Sequence, residues 1–83
     1  MGQGMPKTLG SARHGALVAL LIDKRLKAGL TQATLAKKLR RHQSFIATVE
    51  SWQRRIDVVE FLDLADAIGF DANDALKAVR RAK

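Results

Sequence analysis

Gln43, Ser44 and Thr48 lie near the middle of the chain on one side of a helical pattern, and all three carry compact hydrogen-bonding side chains. A helix over about residues 43–51 turns Ile46 and Val49 toward a core and leaves these three, with Ala47, as an outward row. Such a row suits a groove better than a core. A glutamine amide can donate and accept in one bidentate contact with adenine N6 and N7. Hydroxyls pair with several base edges, and a threonine methyl can touch a thymine methyl; each good contact discriminates by roughly 1–3 kcal/mol. Lys37, Lys38, Arg40, Arg41, Arg54 and Arg55 flank the row. Cations placed this way hold phosphates and position a protein on a duplex without reading its sequence. The residue types therefore point to double-stranded DNA as the partner.

Those side chains need a rigid mount. Residues 30–39, LTQATLAKKL, read as a helix whose start Thr31 can cap with its hydroxyl and whose apolar face is Ala33, Leu35, Ala36 and Leu39. With the helix that follows it, after a tight turn, this makes a helix-turn-helix. Upstream, Ser11 can cap a helix running through Ala28, and Gly29 stops it. Asp57 with Glu60 forms an acidic capping box opening a helix to Ile68, with Gly69 at its end and Val58, Phe61, Leu62, Ala65 and Ile68 expected as core. Asp71 with Asp74 repeats the start signal for a last helix over about 72–81, whose Lys77, Arg80, Arg81 and Lys83 complement the negative end of the dipole. No strand-like alternation appears. Residues 1–10 hold three Gly and the only Pro, so a disordered arm is expected there, followed by one all-α, five-helix domain over 11–83.

Composition narrows the function classes. Eighty-three residues suffice for one small domain, and the net charge is +7. The charge is uneven: residues 1–49 carry nine Lys/Arg against the single acid Asp23, whereas residues 50–83 carry six against seven acids. The basic half contains the helix-turn-helix, as binding through phosphate neutralisation requires. There is no cysteine, and the apolar run Ala16 to Ile22 falls far short of the roughly 20 residues that span a bilayer. A soluble, cytoplasmic protein with no membrane partner is expected. His14 and His42 are the only histidines and neither has a ligand partner at helical spacing, so no metal site is expected. Asp63 and Asp66 read as a solvated face, no glycine-rich phosphate loop is present, and nothing resembles an activated nucleophile. The expectation is a non-enzyme without a cofactor.

The combination of GLTQ at Gly29–Gln32, Leu35–Ala36, QSFIATVE at Gln43–Glu50 and RRIDVVEFLDLADAIG from Arg54 to Gly69 resembles the helix-turn-helix domains of phage Cro and lambda-type repressors, also called the xenobiotic-response-element class. The resemblance covers about residues 17–79. It implies a lambda-repressor-like fold, with Gln32 contacting phosphate and bracing the recognition helix. It also implies base contacts from Gln43, Ser44 and Thr48, a further one from His42, and an ion pair between Arg25 and Glu50 tying the first helix to the third. The residues agree in part, since Arg25 follows Leu21 and Glu50 follows Ile46 at inward helical spacing, and an isolated buried charge needs its partner. Where the family places glycine in the two turns around the recognition helix, this chain has Arg40 and Trp52. Either the turns are reshaped or strain on the order of 1 kcal/mol at each is compensated.

The resemblance also implies dimerisation through the C-terminal region, with Phe70, Leu76 and Val79 as candidates. The all-round apolar first helix, through Leu20 or Val18, is the alternative surface. A dimer would set two recognition helices roughly 34 Å apart on a pseudo-palindrome. The leading expectation is a sequence-specific, dimeric transcriptional repressor without an effector domain. The competing one is a protein-binding module, of antiactivator or antitoxin type, that grips a partner through Trp52 and the first helix. Trp52 itself is expected to pack over the fourth helix.

Overall fold

A computed structural model describes residues 11–82; the expected disordered arm over 1–10 and the terminal Lys83 lie outside the described residues. Within them the chain forms α1 (Ala12–Lys27), α2 (Gln32–Lys38), α3 (Gln43–Glu50), α4 (Val58–Ile68) and α5 (Ala72–Arg81), and no strand. Each start has a local cause. Ser11 accepts from the His14 N–H, Thr31 and Thr34 form a reciprocal box, Asp57 and Glu60 form another, and Asp71 accepts from the Asp74 N–H. His42 opens α3 with no side-chain cap bond.

The first four helices end alike. After α1 and α4 the chain turns through Gly29 and Gly69 at positive φ, and after α2 and α3 through Arg40 (φ 56°) and Trp52 (φ 67°). A backbone N–H then closes back on the last turn: Leu30 to Arg25, Arg41 to Ala36, Gln53 to Thr48 and Phe70 to Ala65. These bonds satisfy helix-terminal carbonyls that would otherwise be orphaned. The two glycine-less turns are thus retained rather than reshaped, and their strain is offset by the same bonds.

The core joins Leu21, Leu35, Ala36, Phe45, Ile46, Val49, Phe61, Leu64 and Ala75. Four expectations need correction. Ala33 is exposed, because α2 is short and only Leu35 and Ala36 reach the interior fully. Val18 is buried, which removes it as a surplus surface residue of α1, and Leu20 packs against the core. In α4, Val58 is 73% and Leu62 45% exposed, while Leu64 is buried. The physical reason is that α4 is apolar at eight of its eleven positions, VVEFLDLADAI, more than one face can bury; the Phe61, Leu64 and Ala65 stripe goes inward. Phe70 packs edge-on to Phe61, their centroids 6.0 Å apart, and covers the core of its own domain.

The ends of the chain are tied together. Arg13 of α1 donates to the carbonyls of Arg80 and Ala82, capping the C-terminus of α5. No helix among the described residues is long and apolar enough to cross a membrane.

Candidate nucleic-acid interface

The interface is built on α3, which is held from behind by one buried carboxylate. Glu50, at the end of α3, accepts from Arg25 Nε at 2.6 Å and Nη2 at 3.0 Å, a bidentate pair, and Arg25 Nη1 donates to the Leu30 carbonyl at 2.8 Å. Arg25 is only 9% exposed, so the pair has little water to compete with it, and each of the three guanidinium nitrogens has a protein partner. Three helices meet at this point: α1 supplies the cation, α3 the carboxylate, and α2 a third member. Gln32 Nε2 donates to Glu50 Oε1 at 2.9 Å.

That bond fixes which way the Gln32 amide faces. With its nitrogen on Glu50, its oxygen turns outward and accepts from Gln43 Nε2 at 3.4 Å, a long contact between two exposed groups. The Gln43 amide retains a second N–H and its oxygen, the pair needed for adenine N7 and N6. A chain of hydrogen bonds thus runs from the buried Arg25 to an exposed glutamine on the outer face of α3.

Around Gln43 the other expected residues fall into distinct environments. His42 and Ser44 are exposed and share a hollow with Arg41, Phe45, Thr48 and Arg54. Thr48 is half-buried, and its hydroxyl donates to the Ser44 and Phe45 carbonyls, both at 2.9 Å. It can offer a groove only a lone pair and its methyl group. Lys37 is exposed on α2, whereas Lys38 and Arg40 lie with Asp63 and Asp66 of α4, whose charge offsets theirs. Arg41 and Arg54 both reach Glu60, at 3.5 and 3.2 Å, and Arg55 is exposed.

Two participants carry no mark in the outward-row pattern. Phe45 sits within α3, buried, and the Arg41 and Arg54 guanidiniums lie 3.8 and 4.8 Å from its ring centroid. Glu60 reads in sequence as a capping residue alone. The spacing of Arg41 and Phe45, four apart, is the signal that would have found the first.

This architecture has a solved counterpart. An XRE-family like protein from Pseudomonas syringae pv. tomato str. DC3000 superposes with a TM-score of 0.82 at 43% identity, covering 89% of this chain and 90% of that one. The chain belongs to the XRE family. No family model matches the sequence, and no curated protein does. In this XRE-family chain the helix-turn-helix is α2 and α3, and the exposed side of α3 carries Gln43 and Ser44.

Trp52 departs from its expected place. Its indole lies over the start of α1 rather than over α4, edge-on to His14 with centroids 5.6 Å apart. A Cβ at Gly15 would come within 2.7 Å of the indole, so the absence of a side chain there makes room for the ring. The room left by Gly15 and the edge-on contact with His14 are what the indole finds there. His14 Nε2 is shielded with no hydrogen-bond partner among the described residues, and burial, then the charge of Arg55, push the imidazole below its ordinary 6.5.

Proposed function

We propose that this XRE-family chain is a sequence-specific DNA-binding transcriptional regulator that acts as a dimeric repressor. The observation that carries the reading is the hydrogen-bonded line Arg25–Glu50–Gln32–Gln43. A protein with no use for base edges gains nothing from fixing an exposed glutamine at the outer face of a helix. Gln43 reads a base pair, His42, Ser44 and Thr48 contact neighbouring edges, and Gln32, Lys37, Lys38, Arg40, Arg41, Arg54 and Arg55 set the register through phosphates. A cytoplasmic location follows from this role.

The dimer surface is the second half of the proposal. Val58, Leu62 and Leu76 are exposed and line one apolar hollow with Leu17, Ile56, Phe61 and Val79. Helix α5 carries acids at its start, Asp71 and Asp74, and bases at its end, Lys77, Arg80 and Arg81. Two copies packed with their α5 helices antiparallel bring opposite charges together at both ends. Leu76 and Val79 therefore serve the interface, with Leu62 and Val58 added and Phe70 beneath as support. Leu76→Asp is expected to convert the dimer to a monomer in sedimentation and to weaken binding to an inverted repeat.

The experiment for the reading as a whole is selection from a random duplex library at near-physiological salt, with sequencing of the bound pool. An enriched inverted repeat supports it; a pool that stays random removes it and leaves the protein-binding alternative. Trp52, 36% exposed, is the residue that alternative would use, but its ring already packs on His14 and over Gly15.

A further inference from the structure

At the N-terminal end of α3, opposite the Glu50 pair, a second carboxylate gathers two arginines. Glu60, the third residue of α4, is held in place by the Asp57 N–H, which donates to its Oε1 at 3.0 Å. Arg54 Nη2 donates to both Glu60 oxygens, at 3.4 and 3.2 Å, and Arg41 Nη1 lies 3.5 Å from Oε2. The Glu60 side chain is only 14% exposed, and both guanidiniums sit on the Phe45 ring. Two cations share one anion here, and Asp63 lines a hollow with Arg41, Phe45 and Glu60. One donor is left over: Arg54 Nη1 is shielded from water and has no hydrogen-bond partner among the described residues. A surface ligand does not reach that nitrogen; what the cluster presents outward is the rest of the Arg41 and Arg54 side chains, 44% and 38% exposed. Arg41, Phe45 and Arg54 line the same hollow as His42, Ser44 and Thr48, with Glu60 behind them.

We infer that Arg41, Phe45 and Arg54 form the seat for a DNA phosphate beside the recognition helix, and that Glu60 is its positioning residue. The inference rests on the DNA-reading assignment above. Arginine side chains lose rotamer freedom when they grip a ligand, and that loss opposes binding. Here part of the loss is taken on folding: the carboxylate contacts one terminal nitrogen of each guanidinium, the ring supports both, and their exposed N–H groups are available to a phosphate oxygen. Glu60 therefore favours binding of a polyanion although it is itself an anion.

That sign makes the test sharp. Glu60→Gln keeps an oxygen to accept from the Asp57 N–H and makes the protein more cationic, so electrostatics alone demands tighter DNA binding. Positioning demands the reverse. The probes are a labelled duplex from the selected pool and a scrambled duplex of equal length, titrated by anisotropy over a range of salt. Glu60→Gln is expected to bind both roughly threefold to tenfold more weakly. Its salt slope is expected to fall by about one unit, and Arg41→Ala added to it should cost little more. Equal or tighter binding with an unchanged slope overturns the inference. Phe45→Leu, which keeps an apolar residue in the core and removes the ring, must lower the slope as well, and decides the matter if Glu60→Gln does not fold. Wild-type protein that binds neither duplex overturns the DNA-reading assignment itself, an outcome distinct from the failure of Glu60 alone.

Discussion

Glu50 and Glu60 are two carboxylates at opposite ends of the recognition helix, and each holds arginine, but they are built for different work. Glu50 meets one arginine and one glutamine in a nearly closed site, and Arg25 gives a third donor to the Leu30 carbonyl. Glu60 meets two arginines whose side chains are 44% and 38% exposed, and one shielded N–H has no acceptor. Burial forces the first cluster to satisfy itself internally, since an unpaired charge there would be expensive. Partial exposure leaves the second with arginine N–H groups that face outward. The same two residue types thus yield a fastening on one side of α3 and a receptive surface on the other.

The largest expected effect breaks the fastening. Arg25→Ala leaves Glu50 and Gln32 without their main cation and should cost about 3–5 kcal/mol of folding stability. That is a large part of the roughly 5–15 kcal/mol a small domain has, so urea denaturation should show a domain at the edge of unfolding. Replacing the pair together, Arg25→Met with Glu50→Leu, should recover much of the stability yet release Gln32 and blur base preference. A double variant that reads DNA as sharply as wild type would show that the line from Arg25 to Gln43 does not orient the reader.

Next in size is the reader itself. Gln43→Ala should remove roughly 1–3 kcal/mol of discrimination at one base pair in competition binding against single-base variants of the selected site. Arg41→Ala should weaken all duplexes about equally and flatten the salt slope by about one unit. If both substitutions lower specific and random binding by the same factor, base reading by Gln43 is excluded and the two ends of α3 are both phosphate contacts.

These contrasts also show what was legible in the sequence. The four cap residues Ser11, Thr31, Asp57 and Asp71 place their helices because a cap is a local hydrogen bond, decided within four residues. The five-helix fold follows from those starts and from apolar spacing. The buried stripe of α4 is not legible in its sequence, because apolar residues surround most of that helix and only tertiary packing chooses which stripe faces inward. Glu60 was half legible: its cap role is local, whereas its hold on Arg41 and Arg54 depends on how α4 docks beside the turn. The left-handed turn at Trp52 is legible from the resemblance, whereas the seat of its indole over Gly15 and His14 depends on how α1 packs beside that turn.

A smaller effect concerns the far side of the same helix end. His14 has its pKa lowered by burial and by Arg55, so the neutral imidazole is the form that fits under Trp52. The unfolded chain therefore binds a proton first as pH falls. The stability tied to the neutral ring is present in full above the ordinary 6.5 and is lost as pH drops through the lowered folded value. Melting followed by Trp52 fluorescence should show a decline below that point that His14→Gln lessens. An unchanged acid limb in His14→Gln would assign the decline to carboxylates instead.

The smallest effect separates the two strained turns. Arg40 and Trp52 both hold positive φ, but Arg40 is exposed, whereas Trp52 carries the ring that covers His14 and Gly15. Arg40→Gly should relieve left-handed strain and stabilise the fold by about 0.5–1 kcal/mol, the gain being limited by the extra freedom glycine brings to the unfolded chain. Trp52→Gly relieves the same kind of strain but loses the indole packing, and should be destabilising on balance. Opposite signs in thermal melts would show that one turn has its non-glycine residue for the charge it presents and the other for the contact it makes. Arg40→Gly read in DNA titrations then isolates that charge. Because Arg40 lies with Asp63 and Asp66, its loss should change the salt slope less than the loss of Arg41.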